Sequence, residues 1–238
     1  MWIWILATVA AFYIKGLCGF ANTLIFDTIL GFSVNNVNIS PVELVLGYPS
    51  NMIMTWKNRQ ELKRSIYIPL TIMVIAGSIP GIFLLKYVNA RYIKLFFGVV
   101  VVLIGIEMML REYGKMKMKE SKVLMTIIGI LSGVLCGLFG VGVVLAAYVN
   151  RIAKNSTSFK ANLSAVFIFE NTFRIILYSV LGVITVSSLK MSLMMLPFML
   201  IGLFAGIKSS TFLDEKVVKK IVIVLLILSG VALVLNNI

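Results

Sequence analysis

Long apolar runs, separated by short segments rich in Lys and Arg, alternate along the whole chain. Eight runs are recognisable, at about residues 1–30, 40–56, 65–85, 95–110, 123–149, 161–184, 191–207 and 221–238. Their apolar positions are continuous rather than alternating, which favours helices, and a membrane-spanning helix needs about 20 mostly apolar residues. Only helices and closed barrels satisfy their backbone hydrogen bonds in lipid. The pattern therefore predicts an all-α, polytopic protein of the cell membrane, with residues 1–238 forming one integral membrane domain.

The composition supports a membrane protein and excludes other classes. Apolar residues make up 60% of the 238 residues, charged residues 13%, and the mean hydropathy is +1.03, whereas soluble domains are about 45–50% apolar and about 25% charged. The net charge of +13 is attributed to basic loops facing anionic lipid, not to a nucleic-acid partner. The chain has no His, and both Cys lie inside apolar runs. We therefore expect no metal, no cofactor and no enzymatic activity.

Glycines and basic residues repeat between the two halves of the chain. Three glycines of the first half precede their counterparts by 125 residues, namely Gly77 before Gly202, Gly81 before Gly206, and Gly105 before Gly230. At the front of each half, Gly16–Asn22 resembles Gly137–Val143 at an offset of 121 residues. The spacing predicts two homologous halves, with repeat 1 at about residues 1–113 and repeat 2 at about 121–238.

The loop charges predict how these halves are oriented. If all eight runs crossed the membrane, Lys and Arg would divide 10 against 10, without the usual cytoplasmic excess. If the run at 123–149 instead returns to its own side, they divide 16 against 4. Each half is then a Gly-broken, re-entrant helix plus three transmembrane helices, and the halves point in opposite directions, as in inverted-repeat transporters. A long or kinked helix that crosses fully is the alternative.

Broken helices at membrane depth expose backbone N–H groups and partial positive charge, which suit an anion. The predicted substrate-binding groups are the two glycine motifs with nearby cations and amides: Lys15, Gly16, Gly19, Asn22, Asn51, Gly137, Gly140, Gly142, Asn171 and Arg174. Purely structural roles are the alternative for several of them. The glycines can serve only close helix packing, the amides can bridge helices, and Lys15 can snorkel or pair with Asp27.

Carboxylates inside the apolar runs are candidates for proton coupling. Glu170 and Arg174 are four residues apart and share one helix face. Either they neutralise each other, or Arg174 binds the anion while Glu170 accepts a coupling proton. Asp27 is the second candidate, whereas Glu43 and Glu107 lie near segment ends, where solvated capping roles are expected.

In order and duplication, these motifs resemble the sulfite exporter TauE/SafE family of membrane proteins. The similarity lies in the doubled glycine motif, in the Pro69…Gly77-Ser-Ile-Pro-Gly81 stretch, and in Arg91…Gly105 with its second copy at Lys216…Gly230. The resemblance implies a permease for small sulfur-containing or organic anions, such as sulfite or organosulfonates. The first motif departs from the family, because Ala21 and Asn22 stand where the family often has glycine.

The leading hypothesis is a secondary transporter that exports a small anion by alternating access. The sequence contains no ATP-binding motif, so the coupling would come from protons or the membrane potential. The expected partners are the anion and the lipid bilayer, without nucleic acid, and a homodimer is left open. The alternative hypothesis is a non-transporting membrane subunit that binds a partner protein.

Overall fold

The computed structural model is built from helices joined by short links. It describes residues 1–31, 36–87, 122–140, 142–213 and 215–235, together with scattered helical residues between 95 and 110. The helices are α1 (Trp2–Cys18), α2 (Asn22–Gly31), α3 (Asn36–Lys57), α4 (Arg64–Tyr87), α5 (Lys122–Phe139), α6 (Val143–Ile152), α7 (Ser156–Val180), α8 (Val186–Ser209) and α9 (Glu215–Leu235), with a short 3-10 helix at Arg59–Glu61. No strand occurs in these ranges, which confirms the all-α prediction. The predicted repeat boundary at 113–121 and Glu107 lie outside the described residues.

Three of the described helices are long and apolar enough to cross a membrane, namely Arg64–Ile82 within α4, α7 and α8. The 24 residues of α8 span about 36 Å at 1.5 Å per residue, against a hydrocarbon core about 30 Å thick. Large apolar side chains are exposed along α8, including Leu193 at 71% and Ile201 at 60%. Such a surface suits lipid rather than water, so the chain is a membrane protein.

Helices break at both glycine motifs. Helix α1 ends at Gly19, whose φ of 92° is left-handed, and Ala21 has a φ of 70°. Helix α5 ends just before Gly140, whose φ is 71°. Glycine adopts such angles without the steric clash of a Cβ, so the chain leaves the helical path at these two points.

Helix α2 folds back along α1. Trp4, near the start of α1, makes an edge-to-face contact with Phe26 of α2, with ring centroids 5.9 Å apart. If the two helices continued in a straight line, these residues would be about 33 Å apart at 1.5 Å per residue. The first glycine motif is therefore the tip of a helical hairpin rather than a kink in one long helix.

Glycines also bring α1 and α8 into backbone contact. A Cβ on Gly202 would meet Val9 and Tyr13, and a Cβ on Gly206, four residues later, would meet Tyr13 and Leu17. Residue numbers rise together along the contact, so the two helices run parallel.

The same arrangement joins α4 and α5. Gly77 faces Gly133, while Gly137, four residues further along α5, faces Ser78 and Ile82 of α4. Residue numbers again rise together, so these two helices are also parallel. Each broken helix therefore lies against a glycine-bearing helix of the other half of the chain.

Two apolar cores reflect this pairing of helices from the two halves of the chain. One combines side chains of α1, α2 and α3 with those of α8, and the other combines side chains of α5, α6 and α7 with those of α4 and the tip at Cys18 and Phe20. Between them, the link after α3 touches the start of α7, because the Lys63 N–H donates to Asn162 Oδ1 over 2.9 Å and Asn162 Nδ2 donates to the Glu61 carbonyl over 3.1 Å. The ends of α3 and α6 and the starts of α4 and α7 therefore lie at one end of the molecule.

Candidate functional site

A small buried cavity lies where the two broken helices meet. Thr23 Oγ1, in the first turn of α2, lies 3.2 Å from the Gly140 carbonyl oxygen, so the two breaks are in direct contact. The cavity has a volume of about 20 Å³, enough for about one water molecule. Its polar lining includes Lys15, Asn22, Thr23, Glu43, Asn51, Asn171 and Arg174, beside Gly140 and Gly142. We call it the deep cavity.

Arg174 is the central cation of the deep cavity. Its side chain is 1% exposed, and Nη1 donates to the Cys136 carbonyl over 2.9 Å. The Gly140 N–H donates to the same carbonyl over 2.7 Å, so Arg174 caps the C-terminal end of α5, where the helix dipole favours a positive charge. A Cβ on Gly140 would lie 2.8 Å from Arg174 Nη2. Residue 140 is therefore glycine because of both its φ and the space that the guanidinium needs.

Two buried carboxylates flank this guanidinium. Glu170 Oε1 lies 3.7 Å from Arg174 Nε, and Glu43 Oε2 lies 3.9 Å from Nη2. The other oxygen of Glu43 accepts hydrogen bonds from Asn22 Nδ2 over 2.5 Å and from Thr23 Oγ1 over 2.8 Å. Glu43, which lies on α3, thus connects α3 to the start of α2 and, through Arg174, to α7.

Lys15 is the second buried cation of the site. It lies in the last turn of α1, is 2% exposed and lines the deep cavity. Its Nζ lies 5.8 Å from the centroid of the Phe12 ring, and its charge interacts with that of Glu43. The site therefore combines two cations with two carboxylates. Because buried charges are tolerated only when paired, the four groups depend on one another.

Several buried polar atoms around the deep cavity have no hydrogen-bond partner among the described residues. They are Asn51 Oδ1, Glu170 Oε1 and Arg174 Nε. Most buried polar atoms in proteins are hydrogen-bonded. Glu170 Oε1 and Arg174 Nε face each other across 3.7 Å as an ion pair, so Asn51 Oδ1 is the one of these three atoms without a polar partner among the described residues.

Of the ten residues predicted to bind substrate, seven line the deep cavity: Lys15, Asn22, Asn51, Gly140, Gly142, Asn171 and Arg174. Gly16 and Gly137 do not line it. A Cβ on Gly16 would lie 2.7 Å from the Ile207 nitrogen of α8, and one on Gly137 would lie 3.0 Å from the Ile82 nitrogen of α4. These two glycines have the close-packing role that was the alternative. Gly19 lies against Lys160, whose Cγ would be 2.8 Å from a Cβ at that position.

The proton-coupling candidates differ in their placement. Glu170 is 1% exposed and adjoins Arg174 on α7, but it lies behind the guanidinium and is not among the described residues that line the deep cavity. Asp27 is half-buried on α2 and is not among the described residues that line the deep cavity.

Glu43 is the site residue that the sequence prediction misjudged. A solvated position was expected because the apolar run was placed to begin near residue 40. Helix α3 instead begins at Asn36 and continues through Pro41, and Glu43 is 3% exposed. Ile39 and Leu46, four residues before and three residues after it, share its helix face, and these apolar residues were the signal that a carboxylate here faces the protein interior.

A larger cavity lies on the other side of Phe20. It has a volume of about 430 Å³ and is lined by the ends of α1, α3, α6 and α8 and by the start of α7. Phe20 is the one described residue that lines both cavities. Its ring meets the Phe159 ring edge to face, with centroids 5.8 Å apart. The two aromatic rings therefore stand between the deep cavity and this larger space, which we call the vestibule.

Comparison with known proteins gives one result that covers nearly the whole chain. No curated protein and no solved structure matches the chain significantly. The family model described as sulfite exporter TauE/SafE matches residues 4–233, a range that contains both broken helices and both cavities. This match confirms the resemblance inferred from the doubled glycine motif. The chain therefore belongs to the sulfite exporter TauE/SafE family of membrane transporters.

Proposed function

We propose that the protein is a secondary transporter that exports a small anion, such as sulfite or an organosulfonate, across the cell membrane by alternating access. The observation that carries the proposal is the deep cavity, where two broken helices meet Lys15 and Arg174. An oxyanion suits this chemistry, because its oxygens accept hydrogen bonds from a guanidinium, an ammonium, amides and helix N-termini. The family assignment supports the same class of substrate.

Binding requires the site to widen. The deep cavity of about 20 Å³ accommodates about one water molecule, whereas sulfite has four heavy atoms. Glu43 occupies the position near Arg174 that an anion would take. The conformation described is therefore an occluded one, and the anion enters when Glu43 and the tips of the broken helices move apart.

We also propose that the two halves form an inverted repeat in a multi-pass membrane domain. Three observations support it. First, α1 is parallel to α8 and α5 is parallel to α4. Second, the residue just before α4 bonds to α7, and the start of α7 lines the vestibule together with the end of α8, so α4 and α8 run in opposite directions, as do α1 and α5. Third, the contact between the link after α3 and the second turn of α7 fits a run at 123–149 that returns to its own side.

The charge balance of the deep cavity suggests how transport is coupled. The site holds two cations and two carboxylates, so adding a monoanion leaves one uncompensated negative charge unless a carboxylate takes up a proton. Glu43 and Glu170, which flank Arg174, are the candidate proton acceptors, and Asp27 remains a more distant one. The membrane potential is the other driving force, worth about 2.3 kcal/mol per charge and 100 mV.

The second function considered from the sequence was a non-transporting subunit that binds a partner protein. The family consists of transporters, and no feature of the described residues favours a subunit role over transport.

Flux measurements with purified protein in proteoliposomes test the transport proposal. We expect sulfite flux from the wild type, and a loss of at least about tenfold in Arg174→Lys, which keeps the charge but not the planar, bidentate guanidinium. Lys15→Met should cause a comparable loss. The matched control is Lys190→Gln, which removes an exposed charge at the start of α8 and should leave the flux unchanged.

Two results would reject the proposal. One is a wild-type protein that moves neither sulfite nor any small sulfonate in either direction. The other is normal flux in both Lys15→Met and Arg174→Lys, which would remove the deep cavity from the transport path.

A further inference from the structure

The vestibule has the charge of an anion-binding space. Three lysines line it, Lys57, Lys154 and Lys160, and none of the lining residues that the structure describes is acidic. A cleft of one charge sign between low-dielectric walls concentrates solutes of the opposite sign. The vestibule therefore attracts anions, in contrast to the surroundings of Arg174, where two carboxylates flank the guanidinium.

A buried lysine and the N-terminal end of a helix form the inner wall of the vestibule. Lys160 is 9% exposed, and its Nζ donates to the Gly16 carbonyl over 3.4 Å. The first turn of α7 lies beside it, and Asn155 caps this helix by accepting the Ser158 N–H over 2.7 Å. The N-terminal end of a helix carries partial positive charge, which adds to that of the lysines.

The position of the vestibule matches the start of an export route. Its lysines belong to the loops at 57–64 and 151–160, which fall on the side with 16 of the 20 loop Lys and Arg residues in the predicted topology. The positive-inside rule assigns that side to the cytoplasm. At the opposite end of the vestibule, Phe20 separates it from the deep cavity.

We propose that the vestibule is a second anion site, in which the transported anion is held before Phe20 moves and admits it to the deep cavity. The inference rests on the proposed function, because it takes the same anion as its ligand. The volume of about 430 Å³ lies within the usual range of small-molecule sites. It accommodates an organosulfonate, or sulfite with part of its hydration shell.

Sulfite is the probe for the test, and the double variant Lys57→Gln/Lys154→Gln removes two vestibule charges. Lys160 is left in place because it also bonds the end of α1. By calorimetry on the purified protein in detergent, we expect the wild type to bind two sulfite ions and the double variant to bind one. In proteoliposomes, the double variant should need about tenfold more sulfite for half-maximal flux, with its maximal rate little changed.

Lys190→Gln is again the matched control, since α8 places it about 25 Å along the helix from the end that lines the vestibule. It should behave as the wild type in both measurements. If the double variant also keeps the wild-type stoichiometry and half-maximal concentration, the vestibule site is rejected while the transport proposal stands. If the wild type shows no flux but binds sulfite in a way that depends on Lys57 and Lys154, the vestibule site stands and the transport proposal falls.

Discussion

The two broken helices end against cations that come from the same helix, α7. At the end of α1, Lys160 donates to the Gly16 carbonyl over 3.4 Å, and at the end of α5, Arg174 donates to the Cys136 carbonyl over 2.9 Å. In both places a positive charge faces the partial negative charge at a helix C-terminus. The two cations are 14 positions apart on α7, about 21 Å at 1.5 Å per residue, so different turns of one helix support the two helix ends.

The surroundings of these two cations differ. Arg174 is flanked by Glu43 and Glu170, and its charge is matched within the protein. Lys160 lines the vestibule, where no described lining residue is acidic. Around Arg174, an entering substrate must rearrange charges that already neutralise one another. The described lining of the vestibule carries only positive charges, which is why we propose initial capture at the vestibule and selection at the deep cavity.

The largest expected effect comes from removing the buried cation. Arg174→Gln leaves Glu43 and Glu170 buried without their positive partner, and breaking a buried ion pair costs about 3–5 kcal/mol. Lys160→Gln removes the hydrogen bond to the Gly16 carbonyl, and the loss of one hydrogen bond costs about 1 kcal/mol. Thermal unfolding in detergent should therefore show a much larger fall in the melting temperature for Arg174→Gln. Equal shifts would mean that the two breaks are not electrostatically different.

A smaller effect is expected at the second break itself. Gly140→Ala places a Cβ against the Arg174 guanidinium at a φ of 71°, and we expect a loss of about 2–4 kcal/mol from backbone strain and the displaced cation. Gly182→Ala is the matched control, because Gly182 has a similar φ of 69° but nothing within 4 Å of its Cβ position. Its loss should be limited to about 1–2 kcal/mol of backbone strain. Melting temperatures of the two variants measure the difference, and a Gly182→Ala loss as large as that of Gly140→Ala would contradict it.

The smallest expected effect is an increase in stability at the first helix break. Ala21 has a φ of 70°, an angle that costs an L-residue about 1 kcal/mol. Ala21→Gly relieves this strain, although the flexible glycine stabilises the unfolded chain and offsets part of the gain. We expect a stabilisation of at most about 1 kcal/mol, seen as a slightly higher melting temperature. A clear loss would indicate that the Ala21 methyl group makes a packing contact that outweighs the strain.

Much of the secondary structure was predictable because it depends on local pattern. Uninterrupted apolar runs predicted helices, and the glycines at 19 and 140 marked where two of them end. Lys15 and Arg174 were recognisable as candidates because an ionisable residue in an apolar run is costly unless it serves a purpose. The placement of Gly16 and Gly137 was not predictable, because packing glycines and ligand-binding glycines look alike in a sequence.

Glu43 shows why the remaining site residues could not be predicted from the sequence. Its role depends on Asn22, Thr23 and Arg174, which lie on two other helices. Its position relative to the end of its own apolar run suggested solvent instead. The vestibule was equally hidden, since it is formed where five helix ends meet, and no motif in any single segment encodes that meeting.

The sequence by itself determined that this chain is helical, enters a membrane, interrupts two helices at glycines and carries rare charges within its apolar runs. These properties are local, because they follow from hydropathy over a helix length and from the conformational freedom of single residues. Only the tertiary structure decided that both breaks meet at one cavity, that Glu43 belongs to it, and that Phe20 separates it from a basic vestibule. Those features depend on contacts between residues more than 100 positions apart, such as Thr23 with Gly140, and such contacts are fixed by helix packing rather than by sequence pattern.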